Sequence, residues 1–220
     1  PTPAPTPRVT LLTVAPDGSA MYRTIGSAIQ AARSGDTIEV RPGIYRERLN
    51  VPSGIRLTGT DRELCIIEWA GAAPAISVLD GRDVAIENLT IRGRGEARDQ
   101  GVKVDRAQVT IAFCIVEGFG GSGVWVHGAG AHAIIRENII QTNGIQGILI
   151  NGGASALIQY NICDDNQGAG IAVIGEGASA NLIGNIGSGN GHFGIFIDRA
   201  NGAQAVLENN TLTGRRGATN

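Results

Sequence analysis

Apolar positions recur along this chain at a fixed interval, each time as a short alternating run that leads into a turn. The copies are Val84-Ala85-Ile86, Val109-Thr110-Ile111, Ala133-Ile134-Ile135, Ala156-Leu157-Ile158, Ala180-Asn181-Leu182 and Ala205-Val206-Leu207. Their last residues fall 23 to 25 positions apart. Three residues after each comes Leu89, Cys114, Asn138, Asn161, Asn185 and Asn210; two further on lie Ile91, Val116, Ile140, Cys163, Gly187 and Leu212. A second run is built on Gly101-Val102-Lys103-Val104, Gly123-Val124-Trp125-Val126, Gly147-Ile148-Leu149-Ile150, Gly170-Ile171-Ala172-Val173 and Gly194-Ile195-Phe196-Ile197. Period-two alternation predicts strands, and a repeat of this length gives each coil two or three of them. A single coil cannot bury its own apolar side, whereas stacked coils share one cylinder of Val, Ile and Leu. Asn at one turn of successive coils can ladder, each amide bonding its neighbours above and below. A second Asn column is expected at Asn143, Asn166 and Asn190. The pattern predicts an all-β fold: a single-stranded right-handed parallel β-helix.

The start of the chain follows a different period. Thr24 precedes Ile25, Ala28, Ile29 and Ala32, which share one face of a helix, and Gly35 is expected to stop it. This short N-terminal helix should cap the open end of the cylinder, as solenoid termini require. The tract Pro1-Thr2-Pro3-Ala4-Pro5-Thr6-Pro7 cannot build a core and reads as an extended linker. The expected division is therefore a Pro/Thr-rich linker over 1–8, a strand and capping helix over 9–35, the β-helix over 36–214 and a loose tail over 215–220. The linker implies a larger chain. The absence of a plug after Leu212 implies an end that packs on another molecule, self-association included, or a chain that continues.

Composition fits many short strands and tight turns: 33 glycines in 220 residues, with 4% aromatics. The formal net charge is −2, with no Lys/Arg cluster of the kind nucleic acid requires. No apolar run approaches the ~18 residues of a membrane span. Cys65, Cys114 and Cys163 are each 49 residues from the next, which is two coils. Two coils separate them by about 10 Å along the axis, beyond the roughly 7 Å Cα limit of a disulfide. They are expected as free thiols in the core or turns.

The segment Gly35-Asp36-Thr37-Ile38-Glu39-Val40-Arg41-Pro42-Gly43-Ile44-Tyr45-Arg46-Glu47, with the helix before it, resembles the opening of pectin methylesterases. The Asn-rich repeats from residue 84 are similar to the β-helix domains of carbohydrate-binding proteins and sugar hydrolases, of the pectin lyase-like superfamily. That fold hosts lyases, hydrolases, esterases, epimerases and inert scaffolds. The esterase glutamine strand matches Gln100-Gly101-Val102-Lys103-Val104. The positions of the two catalytic aspartates fall on Gly121 and Gln146, so the resemblance implies that esterase chemistry in that form is missing. Asp164-Asp165 followed by Gly191-His192-Phe193-Gly194 resembles part of a polygalacturonase site. The earlier Asn-Thr-Asp and later Arg-Ile-Lys of that family have no counterpart, and the pair reads as a solvated turn.

Alternation places Lys103, Trp125, Leu149, Ala172 and Phe196 outward as one stripe, with Asp105, His127, Asn151 and Asp198 at its exit end. The resemblance implies that substrate lies along this face. An outward Trp beside polar groups suits sugar stacking; the same side chains could equally be covered by turn loops, and Lys103, Asp105 and Arg106 could be surface ion pairs. The ligand-binding candidates are Gln100, Lys103, Trp125, His127, Gln146, Asn151 and Phe196; the catalytic candidates are Lys103, Asp105, His127 and Asp198. No cofactor is implied, and no cluster at metal-ligand spacing is present. The leading expectation is a non-catalytic, extracellular, periplasmic or cell-surface module that binds a polysaccharide or other glycan. A polysaccharide-active enzyme on acidic glycans and a sensor or scaffold domain of a larger surface protein are the alternatives. No nucleic-acid partner and no direct membrane insertion are expected.

Overall fold

The computed structural model describes residues 9–95 and 99–219; the expected linker over 1–8 lies outside the described residues. The strands of the described residues form three parallel sheets of nine, eight and eight strands. The chain passes through them in turn and then begins the next coil, so each strand pairs with its equivalents one coil below and above. The first sheet contains Gln108–Ala112, His132–Arg136, Ser155–Gln159 and Ser179–Ile183. The second contains Ile115–Glu117, Ile139–Gln141 and Ile162–Asp164. The third contains Val102–Asp105, Val124–His127, Ile148–Asn151 and Ile171–Ile174. The fold is the expected right-handed β-helix.

The register is the one the repeats dictate. Ala133 pairs with Ala156, and Ala156 with Ala180, in the first sheet. Val102, Val124, Ile148 and Ile171 align in the third. All of these are buried, and with their neighbours they make one continuous core along the axis. Parallel strands can stack this way because each side chain meets its own kind one coil away, at about 4.8 Å.

Both amide ladders form inside the turns. Asn138 Nδ2 donates to Asn161 Oδ1 at 2.9 Å, Asn161 to Asn185 at 2.9 Å and Asn185 to Asn210 at 2.8 Å. Asn143 donates to Asn166 at 3.0 Å and Asn166 to Asn190 at 3.2 Å. Each amide also accepts a backbone N–H from the coil before it, as Asn161 does from Asn138 N at 3.1 Å. The ladder therefore satisfies backbone groups that the tight turn withdraws from the sheets.

The N-terminal plug is the helix Ile25–Ala31, with Ile25 and Ala28 buried against the first coil. Thr24 caps it, accepting from Ser27 N at 3.2 Å. Glu47 completes the cap: its two oxygens accept from Ile25 N and Gly26 N, each at 2.8 Å. Tyr45 is buried and shares its hydroxyl between Arg41 O at 2.8 Å and Val14 O at 3.1 Å. Burial, with the nearby Cys65 and Glu47, pushes that hydroxyl up to about 12. The Gly-Ile-Tyr-Arg-Glu segment behind the esterase resemblance thus works here as a fastening between the plug and the first coil.

Three expectations need correction. The winding begins before the helix, because Leu11–Val14 pairs with Thr37–Val40. The helix ends at Ala32 in extended conformation, and Gly35 acts later, at φ 96°. The tail is not loose: Gly217–Thr219 is a strand on Phe193–Ile197. Alternation was invisible there because Gly217, Ala218 and Thr219 bring no large apolar side chain. In the last coil Val206 and Leu207 are exposed, while Leu212 stays buried. The three cysteines are buried and free. Burial pushes the Cys114 thiol up to about 12 and raises that of Cys163, so neither is a nucleophile at neutral pH.

Candidate functional site

The outward stripe forms in register on the third sheet. Ser77, Lys103, Trp125, Leu149, Ala172 and Phe196 occupy one column, coil after coil. Two residues further along lies a parallel column of Leu79, Asp105, His127, Asn151 and Ile174. Strand alternation puts both columns on the same outer face.

Three adjacent coils bring five of the expected residues together. Lys103 Nζ lies 3.0 Å from Asp105 Oδ2 and 4.8 Å from the centre of the Trp125 ring. Trp125 Nε1 donates to Asn151 Oδ1 at 2.9 Å. His127 Nδ1 bonds the same oxygen at 2.9 Å, and its ring centre is 5.2 Å from that of Trp125. Arg106 extends the group, joining Asp105 at 2.9 Å and Asp80 at 2.9 Å. The Lys103 and Asp105 side chains are 23% and 13% exposed, so the pair is well shielded from water.

Trp125 is not the free sugar platform expected of an outward Trp. One of its faces carries the Lys103 ammonium, and its N–H is already bonded. Within its own face the ring also meets His127, whose ring centre lies 5.2 Å away. Stacking of equivalent positions at strand spacing leaves less open ring than alternation alone suggests.

Other expected residues lie apart. Asp198 follows the coil of Ile174, so a non-polar row separates it from Asn151, and its carboxylate accepts from Asn201 Nδ2 at 2.9 Å. Phe196 stacks on Phe193 at 5.7 Å, three coils or about 14 Å from Trp125. Gln100 and Gln146 sit at the entry end of the strands, where Gln146 Oε1 accepts from Ser122 Oγ at 3.0 Å. Five residues of strand, roughly 16 Å, separate Gln100 from Asp105. Among the described residues no group of three His, Cys, Asp or Glu could hold a metal ion.

Asp105 is held below its ordinary value of 3.8. Burial, the largest influence, acts to raise it; the hydrogen bond and charge of Lys103, then Arg106 and His127, outweigh burial. A carboxyl depressed by folding adds stability above its unfolded value, and that stability is lost as pH falls through the folded one. An NMR titration should therefore place the Asp105 midpoint below 3.8, and Lys103→Ala should raise it. A wild-type midpoint at or above 3.8 would contradict the pairing.

The family description "Right handed beta helix region" matches residues 53–219. The chain belongs to this family. Among curated proteins it is similar to the uncharacterized protein YwoF of Bacillus subtilis (strain 168), 26% identical over 132 residues. That match covers 54% of this chain and 24% of YwoF, so the chain spans about a quarter of that relative's length. Among solved structures it resembles the A-module of mannuronan C-5 epimerase AlgE4 from Azotobacter vinelandii, with a TM-score of 0.67 at 21% identity. That match covers 78% of this chain and 53% of the module. The pectin methylesterase of Aspergillus niger matches with a TM-score of 0.67 at 14% identity, over 95% of this chain and 88% of that one. These likenesses are of fold.

One feature of this family member escaped the sequence reading. A groove of about 610 Å³ runs over the first sheet, lined by His132, Ser155, Ser179, Asn181, Arg199 and Gln204. His132 Nδ1 lies 2.9 Å from Ser155 Oγ, which also contacts Ala131 O at 3.2 Å. The signal was present as outward polar residues at one phase of the repeat, but the loop that contributes Arg199 is irregular and gave no periodicity to follow.

Proposed function

We propose that this domain binds a polysaccharide along the outer face of the third sheet and does not turn it over, in an extracellular, periplasmic or cell-surface setting. The observation that carries the proposal is the bonded group of Lys103, Asp105, Trp125, His127 and Asn151, fixed by rigid strands on three successive coils. Prefixed polar groups beside an aromatic edge bind a hydroxyl-rich ligand with little ordering penalty. Two structural neighbours, by their names, act on mannuronan and on pectin, which makes a polysaccharide the natural class of ligand to test.

The convergence of Lys103, Arg106 and Asp105 on one face supports a second reading, an enzyme acting on acidic glycans. Its chemistry would be limited. Asp105 is ionised at neutral pH by its cationic neighbours, so it supplies no proton for glycoside cleavage. His127 is left as the base of a proton abstraction, and polyuronate incubated with the protein would then gain the ultraviolet absorbance of an unsaturated product.

The deciding experiment is a glycan array followed by titration of the best ligand. Trp125→Ala, checked for wild-type circular dichroism, should weaken binding at least tenfold, about 1.4 kcal/mol. Unchanged affinity in that variant would remove this face from the proposal.

A further inference from the structure

The hydrogen bonds on the third sheet fix more than position; they fix which nitrogen of His127 carries the proton. The indole Nε1–H of Trp125 is a donor only, so the Asn151 atom facing it at 2.9 Å is the carbonyl oxygen. The same oxygen faces His127 Nδ1 at 2.9 Å, and an oxygen without hydrogen can only accept. Nδ1 must therefore be protonated. In the neutral ring Nε2 then carries the lone pair, and no described residue hydrogen-bonds it.

Gly152 makes the arrangement sterically possible. Its φ is 64°, and a Cβ there would lie 2.6 Å from both Cε1 and Nδ1 of His127. The ring thus lies on bare backbone, with its Nδ1–Cε1 edge against the next coil.

Charge around the ring is balanced. Lys103 is matched by Asp105, and Arg106 is matched by Asp105 and Asp80. Leu149 and Ile174, on the following coils, add no charge. A carboxylate arriving here would find both cations already paired and a lone pair at Nε2. A hydroxyl could donate to Nε2 and accept a remaining N–H of Lys103.

We infer that Trp125 and Asn151 hold His127 as the Nδ1–H tautomer, so that this face presents Nε2 as an acceptor and selects a neutral, hydroxyl-rich sugar over a carboxylated one. Asn151 and Trp125 are positioning residues in this arrangement. The selectivity rests on the glycan-binding reading above; the tautomer does not.

Long-range ¹H–¹⁵N NMR on the intact chain tests the tautomer, with the His127 signals assigned by their loss in His127→Gln. At a pH where the ring is neutral the wild type should show Nδ1–H. Trp125→Phe removes the indole donor and lets the Asn151 amide turn, so it should give a mixture of tautomers, whereas a merely space-filling Trp would not change the spectrum. Wild-type protein in the Nε2–H form, or an unaltered tautomer in Trp125→Phe, overturns the relay. Calorimetry with xylohexaose and hexagalacturonate tests the selectivity. The neutral sugar should bind at least tenfold more tightly. Equal or tighter binding of hexagalacturonate overturns the selectivity. Binding of neither sugar refutes the glycan reading and the selectivity built on it, while the spectrum still decides the relay.

Discussion

Asn161→Ala should destabilise the protein by about 3 kcal/mol or more, because several buried groups lose their partners at once and each carries a penalty of roughly 1–3 kcal/mol. Asn161 Oδ1 accepts from Asn138 N at 3.1 Å and from Asn138 Nδ2 at 2.9 Å. Its Nδ2 donates to Ile135 O at 2.8 Å, Gln159 O at 3.0 Å and Asn185 Oδ1 at 2.9 Å. Alanine leaves the Asn138 N–H and the Ile135 carbonyl facing a dry gap. Coils communicate only with their neighbours, so a break in mid-ladder weakens the joint between two halves of the solenoid. Asn210→Ala, at the half-exposed last rung, should do less, because water can reach the groups it frees. Urea denaturation of the two variants measures both effects. Equal midpoints for Asn161→Ala and wild type would mean that the ladder is not structural.

Restoring the two aspartates that the esterase resemblance leads one to look for should disrupt the fold rather than create an enzyme. Gly121 packs so closely on Asp99 that its N–H donates to Asp99 O at 2.7 Å, and a Cβ at Gly121 would collide with that same carbonyl. The obstacle is backbone, which cannot swing aside as a side chain can. Overpacking of this kind typically costs 1–3 kcal/mol and sometimes more. Gly121→Asp should therefore melt well below wild type, alone or with Gln146→Asp. Among the described residues Gln146→Asp by itself loses the side-chain bond from Ser122 and should stay within about 1.5 kcal/mol. None of the three, nor the wild type, should release methanol from methyl-esterified pectin. A wild-type melting point for Gly121→Asp would show that this turn has room the geometry denies; methanol release by the unaltered protein would show that another group acts as nucleophile.

The repeat was legible because its information is periodic and local. Val102, Val124 and Ile148 recur at one phase, and period-two alternation alone decides that they point inward and Lys103, Trp125 and Leu149 outward. The Asn columns could be placed for the same reason: a buried amide in a tight turn has few partners other than its copy in the next coil. Where periodicity fades, strands leave no mark in the sequence. Gly217–Thr219 has no large apolar residue to mark it as a strand. Leu11–Val14 read only as a lead-in to the helix, because its partner strand lies beyond the helix in the chain.

The site divides along the same line. The sequence alone determined the fold, the two outward columns, and which residues could share a face, since strand spacing and alternation are properties of the backbone. It could not determine how far along the axis a working group extends. Asp198 and Phe196 have the right phase, yet a coil bearing Ile174 or Ala172 separates each from the cluster. Nor could it show that the Lys103 ammonium covers the Trp125 ring, that one Asn151 oxygen holds both Trp125 and His127, or that a loop carrying Arg199 closes a groove on another sheet. Those depend on χ angles and on contacts between residues more than twenty positions apart, where each side chain's place is set by what its neighbours have already occupied. Only the packed tertiary structure decides that.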